Sequence, residues 1–200
     1  MLTDHQEWSS PSLPLPWNPA AWYQLAAAGG WQAVVADTAY SMAQDIVTAR
    51  CEGSVGLTAA WCALPFSVPV LCATATGPGI QALQTAVKAA AAEGLPLQRM
   101  VVALVATSAG RLPAPVRAAA TMLQSRVSAV VSVPYEQRIR TYGLTDADRL
   151  KSGAVDAGFD LAHAVLASAV SVWGEPLPPA PAPAVAIPSP ARHASEEVPA

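Results

Sequence analysis

An α/β domain with a mostly parallel sheet and helices on both faces is the fold class this chain predicts, on three observations. Short uncharged runs rich in Val and Ala recur along the sequence, each of a length that suits a strand buried on both faces. Stretches of ten or more residues with helix-start and helix-stop signals separate them. Hydrophobic residues make up 52% and charged residues 12% of the 200 residues, enough apolar material for one packed core. Strands that alternate with helices of this length are joined by right-handed crossovers and lie parallel.

Each element follows from local signals. Residues 1–17 are polar and interrupted by Pro11, Pro14 and Pro16, and read as an extended arm. Asn18-Pro19 starts the first helix, an Asn cap with proline at the first helical position; Gly29-Gly30 ends it. Trp31 to Asp37 is the first expected strand, with Ala33-Val34-Val35-Ala36 uncharged and Asp37 the first charge after them. A helix over about 41–50, Gly53, and a short helix near 57–64 precede the second strand at about 68–73. The loop Thr74-Ala75-Thr76-Gly77-Pro78-Gly79 opens a helix over 80–93 that Gly94 stops. Met100 to Val105 is the third strand, followed by the loop Thr107-Ser108-Ala109-Gly110. A helix begins at Pro113 and Pro115 and runs to Arg126; Val127 to Val133 is the fourth strand, closed by Pro134. A long terminal helix covers about 148–173. From Gly174 to Ala200 the composition turns to Pro and Ala, which builds no packed core and favours extended polyproline conformations. The organisation expected is therefore an arm (1–17), an α/β domain (18–173) and a disordered tail (174–200). The Pro176-x-x-Pro179 spacing matches a proline-recognition pattern, but such composition produces it by itself.

Charge and cysteine content exclude several classes. A net charge of -3 supplies no basic footprint for nucleic acid. Cys51, Cys62 and Cys72 are odd in number and form no C-x-x-C, so neither a disulfide framework nor a zinc site is indicated, and free thiols in a reducing cytoplasm are expected. Asp4 and Glu7 stand where a secretory signal would carry basic residues. Gly53 to Val87 is free of charge and apolar enough to register in a hydropathy scan, but Pro65, Pro69 and Gly77-Pro78-Gly79 argue for buried strand and loop over a spanning helix.

In open parallel sheets, ligands bind at the carboxyl ends of the strands. Those ends carry Asp37-Thr38, Thr74-Ala75-Thr76, Ala106-Thr107-Ser108 and Pro134-Tyr135. An Asp at a strand end can hold a water of a magnesium shell, orient an attacking water, or simply cap the next helix. Thr38 can assist through its hydroxyl or bond the loop backbone. Gly77-Pro78-Gly79 fits either an anion-binding turn at a helix start or a tight turn that needs glycine. A nucleophile–base–acid triad finds no support: Glu52-Gly53-Ser54-Val55-Gly56 is not a nucleophile elbow, and His163 falls on the terminal helix.

The segment Trp31-Gln32-Ala33-Val34-Val35-Ala36-Asp37-Thr38-Ala39 resembles the Walker B and switch II segment of ParA/MinD-type ATPases, the deviant-Walker P-loop proteins of partitioning and intracellular positioning. Met100 to Ala106 is similar to the family's strand before the base-recognition loop, and Val130-Val131-Ser132-Val133-Pro134-Tyr135 to its strand ending in Pro-Tyr. The Arg140-Thr141-Tyr142-Gly143-Leu144 segment and terminal helix resemble its last elements, so the likeness covers about 20–169. It implies a P-loop NTPase-like fold, ATP and magnesium as cofactors, Asp37 as the catalytic and water-mediated metal residue, and Thr38, Thr107, Ser108, Pro134 and Tyr135 around the nucleotide. It also implies nucleotide-dependent homo-oligomers or a protein partner.

The departures are equally specific. No G-x-x-x-x-G-K-[ST] occurs, and neither lysine, Lys88 or Lys151, follows a glycine-rich turn. A triphosphate is held and activated largely by such a cradle, so this chain is expected not to hydrolyse ATP alone. Tyr40-Ser41-Met42 replaces the family's Gly after the Walker B Asp, and Ala106 or Thr107 its base-reading Asn. The expectation is a truncated or degenerate ParA/MinD-like domain of a positioning or partitioning system, its phosphate loop upstream or lost. The alternative is a non-catalytic interaction protein that docks through the α/β domain and the proline-rich tail.

Overall fold

The computed structural model describes residues 18–28, 33–38, 40–143 and 147–175. The expected arm and nearly all of the tail lie outside the described residues, as do Gly29, Gly30 and Trp31. The chain is α/β: the described residues form a three-stranded, open, all-parallel sheet accompanied by seven α-helices.

Helix α1 (Pro19–Ala28) starts as its sequence dictates, the Asn18 side chain accepting the Ala20 N–H at 2.9 Å. Helix α2 (Met42–Glu52) ends on Gly53 at φ 65°, a left-handed turn that glycine adopts without steric cost. Helix α3 (Leu57–Ala63) is capped from outside itself. The Asp45 carboxylate, on α2, accepts the Leu57 and Thr58 N–H groups at 3.1 and 2.8 Å. Gly56 permits this approach, since a Cβ there would stand 2.8 Å from Asp45 Oδ2.

Strands β1 (Val70–Thr74), β2 (Val101–Val105) and β3 (Ala129–Val133) pair in that order, with Val70 opposite Val101 and Val101 opposite Ala129. Between them run α4 (Gly77–Ala92) and α5 (Ala114–Gln124), on one face of the sheet. Ile80, Leu83 and Val87 of α4 and Val116, Ala119 and Leu123 of α5 close over Val102 and Leu104 there. On the other face α7 (Ser152–Trp173) packs against β3 and β2. Side chains alternate along a strand, so Val101 and Ala103 are buried beneath α7 while Val102 and Leu104 meet α4 and α5. A short helix, α6 (Gln137–Tyr142), links β3 to α7; no helix is expected there from the sequence.

Three of the four expected strands form the sheet, each shifted by no more than two residues. The first does not. Residues 33–38 take no regular structure, and Val34 and Val35 are 57% and 95% exposed. A strand buried on both faces needs neighbours and a helix layer above and below, and this run has neither.

Coverage of the sheet is uneven. β2 is buried throughout Val101 to Leu104, whereas Val70, Cys72 and Thr74 of β1 stand exposed on the side that α7 does not reach. The charge-free stretch 53–87 builds α3, β1 and the start of α4. Among the described residues one helix, α7, is long and apolar enough to cross a membrane, with 22 residues and mean hydropathy 1.3. One side of it is packed on the sheet, with Ala157 and Ser168 buried.

Asp45 is the one side chain that caps α3. Asp45→Ala is expected to lower unfolding free energy by about 1–2 kcal/mol, the usual cost of losing a helix cap, read from urea denaturation.

Candidate functional site

The carboxyl end of β1 is closed by its own side chains. Thr76 caps α4, its Oγ1 accepting the Gly79 N–H at 3.1 Å and lying 3.1 Å from Thr74 Oγ1. Pro78 has no N–H, and the Ile80 N–H donates to the Thr76 carbonyl at 2.9 Å. Gly79 is required for packing, because a Cβ there would stand 2.1 Å from the Thr74 carbonyl oxygen. The Gly77-Pro78-Gly79 turn is therefore the tight turn and not a phosphate cradle. A triphosphate finds no ring of free N–H groups at this helix start, and the residues present do not fit one.

The sequence-predicted site residues divide into two places. Asp37 and Thr38 are exposed on the irregular segment 33–38. Asp37 therefore does not sit at the end of a buried strand, the placement its expected role requires. It lies close enough to β1 for its charge to be felt at Cys72, whose thiol is exposed at the surface yet partly desolvated by its neighbours; that desolvation chiefly, and this carboxylate further, raise its pKa. Thr107 and Ser108 follow β2, and Pro134 and Tyr135 follow β3. These two loops are brought together: the Arg140 guanidinium on α6 donates to the Thr107 carbonyl at 3.4 Å. The Pro134 ring lies against the start of α7, 4.0 Å from where a Cβ on Gly153 would stand. Asp37 is not part of this assembly. It borders β1, and strands are spaced about 5 Å apart, so roughly 10 Å of sheet intervenes between β1 and β3. Among the described residues no group of three or more His, Cys, Asp or Glu side chains is arranged to hold a metal ion.

Beyond Pro134-Tyr135 the chain forms a cavity of about 380 Å³ between α6 and the start of α7. Glu136, Arg138, Tyr142, Arg149 and Lys151 are among the residues that line it. Glu136 is the buried one, 6% exposed, and its carboxylate accepts the Arg138 N–H at 3.0 Å, which starts α6. Lys151 is the residue before α7; that helix has no side-chain cap and no acidic residue in its first turn. Sequence reasoning stopped at Tyr135 and missed this cavity. The available signal was the charge pattern Arg138-x-Arg140 and Arg149-x-Lys151, which places four of the 11 Lys and Arg in 14 residues of an acidic chain.

Comparison with family models, with curated proteins and with solved structures yields no match. The protein is thus defined by its own fold, a small parallel α/β domain whose strand-end loops converge beyond β2 and β3.

Two outcomes follow from this geometry. Asp37→Asn removes the negative charge near Cys72, lowers that thiol's pKa and accelerates its alkylation by iodoacetamide at pH 8. The gain is within about tenfold, since desolvation is the larger cause. Peptide mapping by mass spectrometry resolves Cys72 from Cys51 and Cys62. Gly79→Ala forces apart the Thr74 carbonyl and the α4 start, and is expected to cost about 1–3 kcal/mol in denaturant melts.

Proposed function

We propose that this chain is a degenerate ParA/MinD-like domain of an intracellular positioning or partitioning system, and that it does not catalyse on its own. The observation that carries this reading is that Thr107-Ser108 and Pro134-Tyr135 follow neighbouring parallel strands, while these 200 residues contain no glycine-rich turn followed by lysine. Support for the family resemblance is the order of elements: three consecutive parallel strands, with Thr107-Ser108 after the second and Pro134-Tyr135 after the third. In this reading Asp37, Thr38, Thr107, Ser108, Pro134 and Tyr135 are remnants of a nucleotide site, and ATP with magnesium is the ligand that site has lost.

A second reading, a non-catalytic interaction module, is favoured by one specific feature. Among the described residues β1 is an edge strand that pairs with β2 alone; it carries no charge and leaves Val70 and Cys72 exposed. Natural edges are usually guarded by lysine, proline or a bulge within the strand, and β1 has none. An unguarded edge is suited to accept a strand from a partner protein.

Calorimetric titration of the chain with ATP and magnesium tests the principal reading. No saturable heat is expected up to about 1 mM, a bound of about -4 kcal/mol on the affinity. Stoichiometric binding at micromolar concentration would overturn the claim that the site is degenerate.

A further inference from the structure

Helix α7 is apolar on two sides. Ala157, Leu161, Ala164 and Ser168 share the side that packs on β2 and β3. The opposite side carries Val155, Phe159, Ala162, Leu166 and Val170, spaced alternately three and four residues apart or four and four. That spacing keeps all five on one stripe, the seam pattern of paired helices. All five are exposed, Phe159 by 71% and Leu166 by 63%. A helix that is hydrophobic all round is ordinarily enclosed on all sides. In α7 only 11% of the most apolar 18-residue window is buried, so the outer stripe is open among the described residues.

We propose that this stripe pairs antiparallel with the same stripe of a second copy, giving a two-fold dimer that forms without nucleotide. Two features select this occupant. The first is size. Read in either direction, the stripe runs medium, large, small, large, medium: Val, Phe, Ala, Leu, Val. A two-fold axis beside Ala162 sets Phe159 opposite the partner's Leu166 and Val155 opposite the partner's Val170. The small Ala162 side chains then meet at the crossing and let the helices approach. The second feature is charge. Antiparallel packing brings Lys151, just before α7, to the partner's Glu175, just after it. It also sets Asp156 and Asp160 of each copy along the uncharged segment 164–173 of the other. Parallel packing would instead place each of these charges beside its own copy, which is repulsive. His163, the third titratable side chain of α7, borders the stripe near the axis. A bilayer is the rival occupant, but insertion would strip α7 from β2 and β3 and break the hydrogen bond from Ser168 to the Arg99 carbonyl. The proposal rests on α7 alone, and needs neither the nucleotide-site reading nor the open edge of β1.

Sedimentation velocity of the full chain without nucleotide is the test. A reversible dimer is expected, with a dissociation constant of about 1–100 µM, since one helix face is at the small end of specific interfaces. Phe159→Glu and Leu166→Lys are each expected to weaken the dimer by more than about a hundredfold, because each change is felt twice across the axis. Both residues are exposed in the monomer, so circular dichroism and melting temperature are expected to hold. Mixing the two variants in equal amounts restores a dimer, because the antiparallel register sets the new carboxylate against the new ammonium. Val70→Lys, on the edge of β1, leaves the dimer intact. The proposal is overturned by a monomer at about 200 µM, a concentration above the expected dissociation constant. It is equally overturned if Val70→Lys dissociates the dimer as Phe159→Glu does, or if the mixture stays monomeric. Flotation of a monomeric chain with phosphatidylcholine vesicles also overturns it, and assigns the stripe to a membrane.

Discussion

Val101, Val102, Ala103 and Leu104 are each no more than 1% exposed, and Met100 just before them is wholly buried. A parallel strand in that state needs a neighbour on each edge and a helix layer on each face. β1 and β3 supply the edges, α4 and α5 one face, and α7 the other. Burying each Val or Leu side chain is worth about 1.5–3 kcal/mol, so this one strand concentrates the driving force that assembles the elements around it. The rest of the core is arranged about the same line, with Ile46, Cys62 and Ala90 packed near Met100.

Arg99, directly before Met100, ties the far end of α7 to this strand. Its guanidinium donates to the Cys62 carbonyl and lies 5.1 Å from the Trp173 ring centroid, while its own carbonyl accepts the Ser168 hydroxyl at 3.0 Å. Trp173 in turn meets Phe66 at 5.5 Å between ring centroids. Phe66 sits at φ 57°, a left-handed backbone conformation that bulky residues seldom adopt. One arginine thus joins α3, the approach to β2 and α7. The guanidinium can be held in so apolar a place because its charge meets a carbonyl and an aromatic face.

The two ends of the sheet have opposite characters. At β3 the strand-end loop is followed by α6 and α7, and charged side chains collect in a concave wall. At β1 the strand is uncharged, three of its five side chains are exposed, and the loop after it is sealed by threonines. Asp37 borders the second kind of surface, near Cys72.

Much of this architecture was legible in the residues themselves. Uncharged Val-rich runs bounded by Gly, Pro and Thr mark β1, β2 and β3, and Asn18-Pro19, Gly53 and Gly94 mark helix ends, because backbone preferences at these positions are local. The same pattern misplaced Ala33 to Ala36, since an apolar run becomes a strand only if neighbours are there to pair with it. Thr107, Ser108, Pro134 and Tyr135 were found as strand-end residues. The cavity beyond them was not, because Arg138, Arg149 and Lys151 are brought together by α6 folding back beside the start of α7. The sequence alone determined the coarse α/β class and the parallel order, which rest on local preference and residue identity. Tertiary structure alone decided which strand lies buried at the centre and how the loops after β2 and β3 come together, because those depend on contacts between residues far apart in the chain.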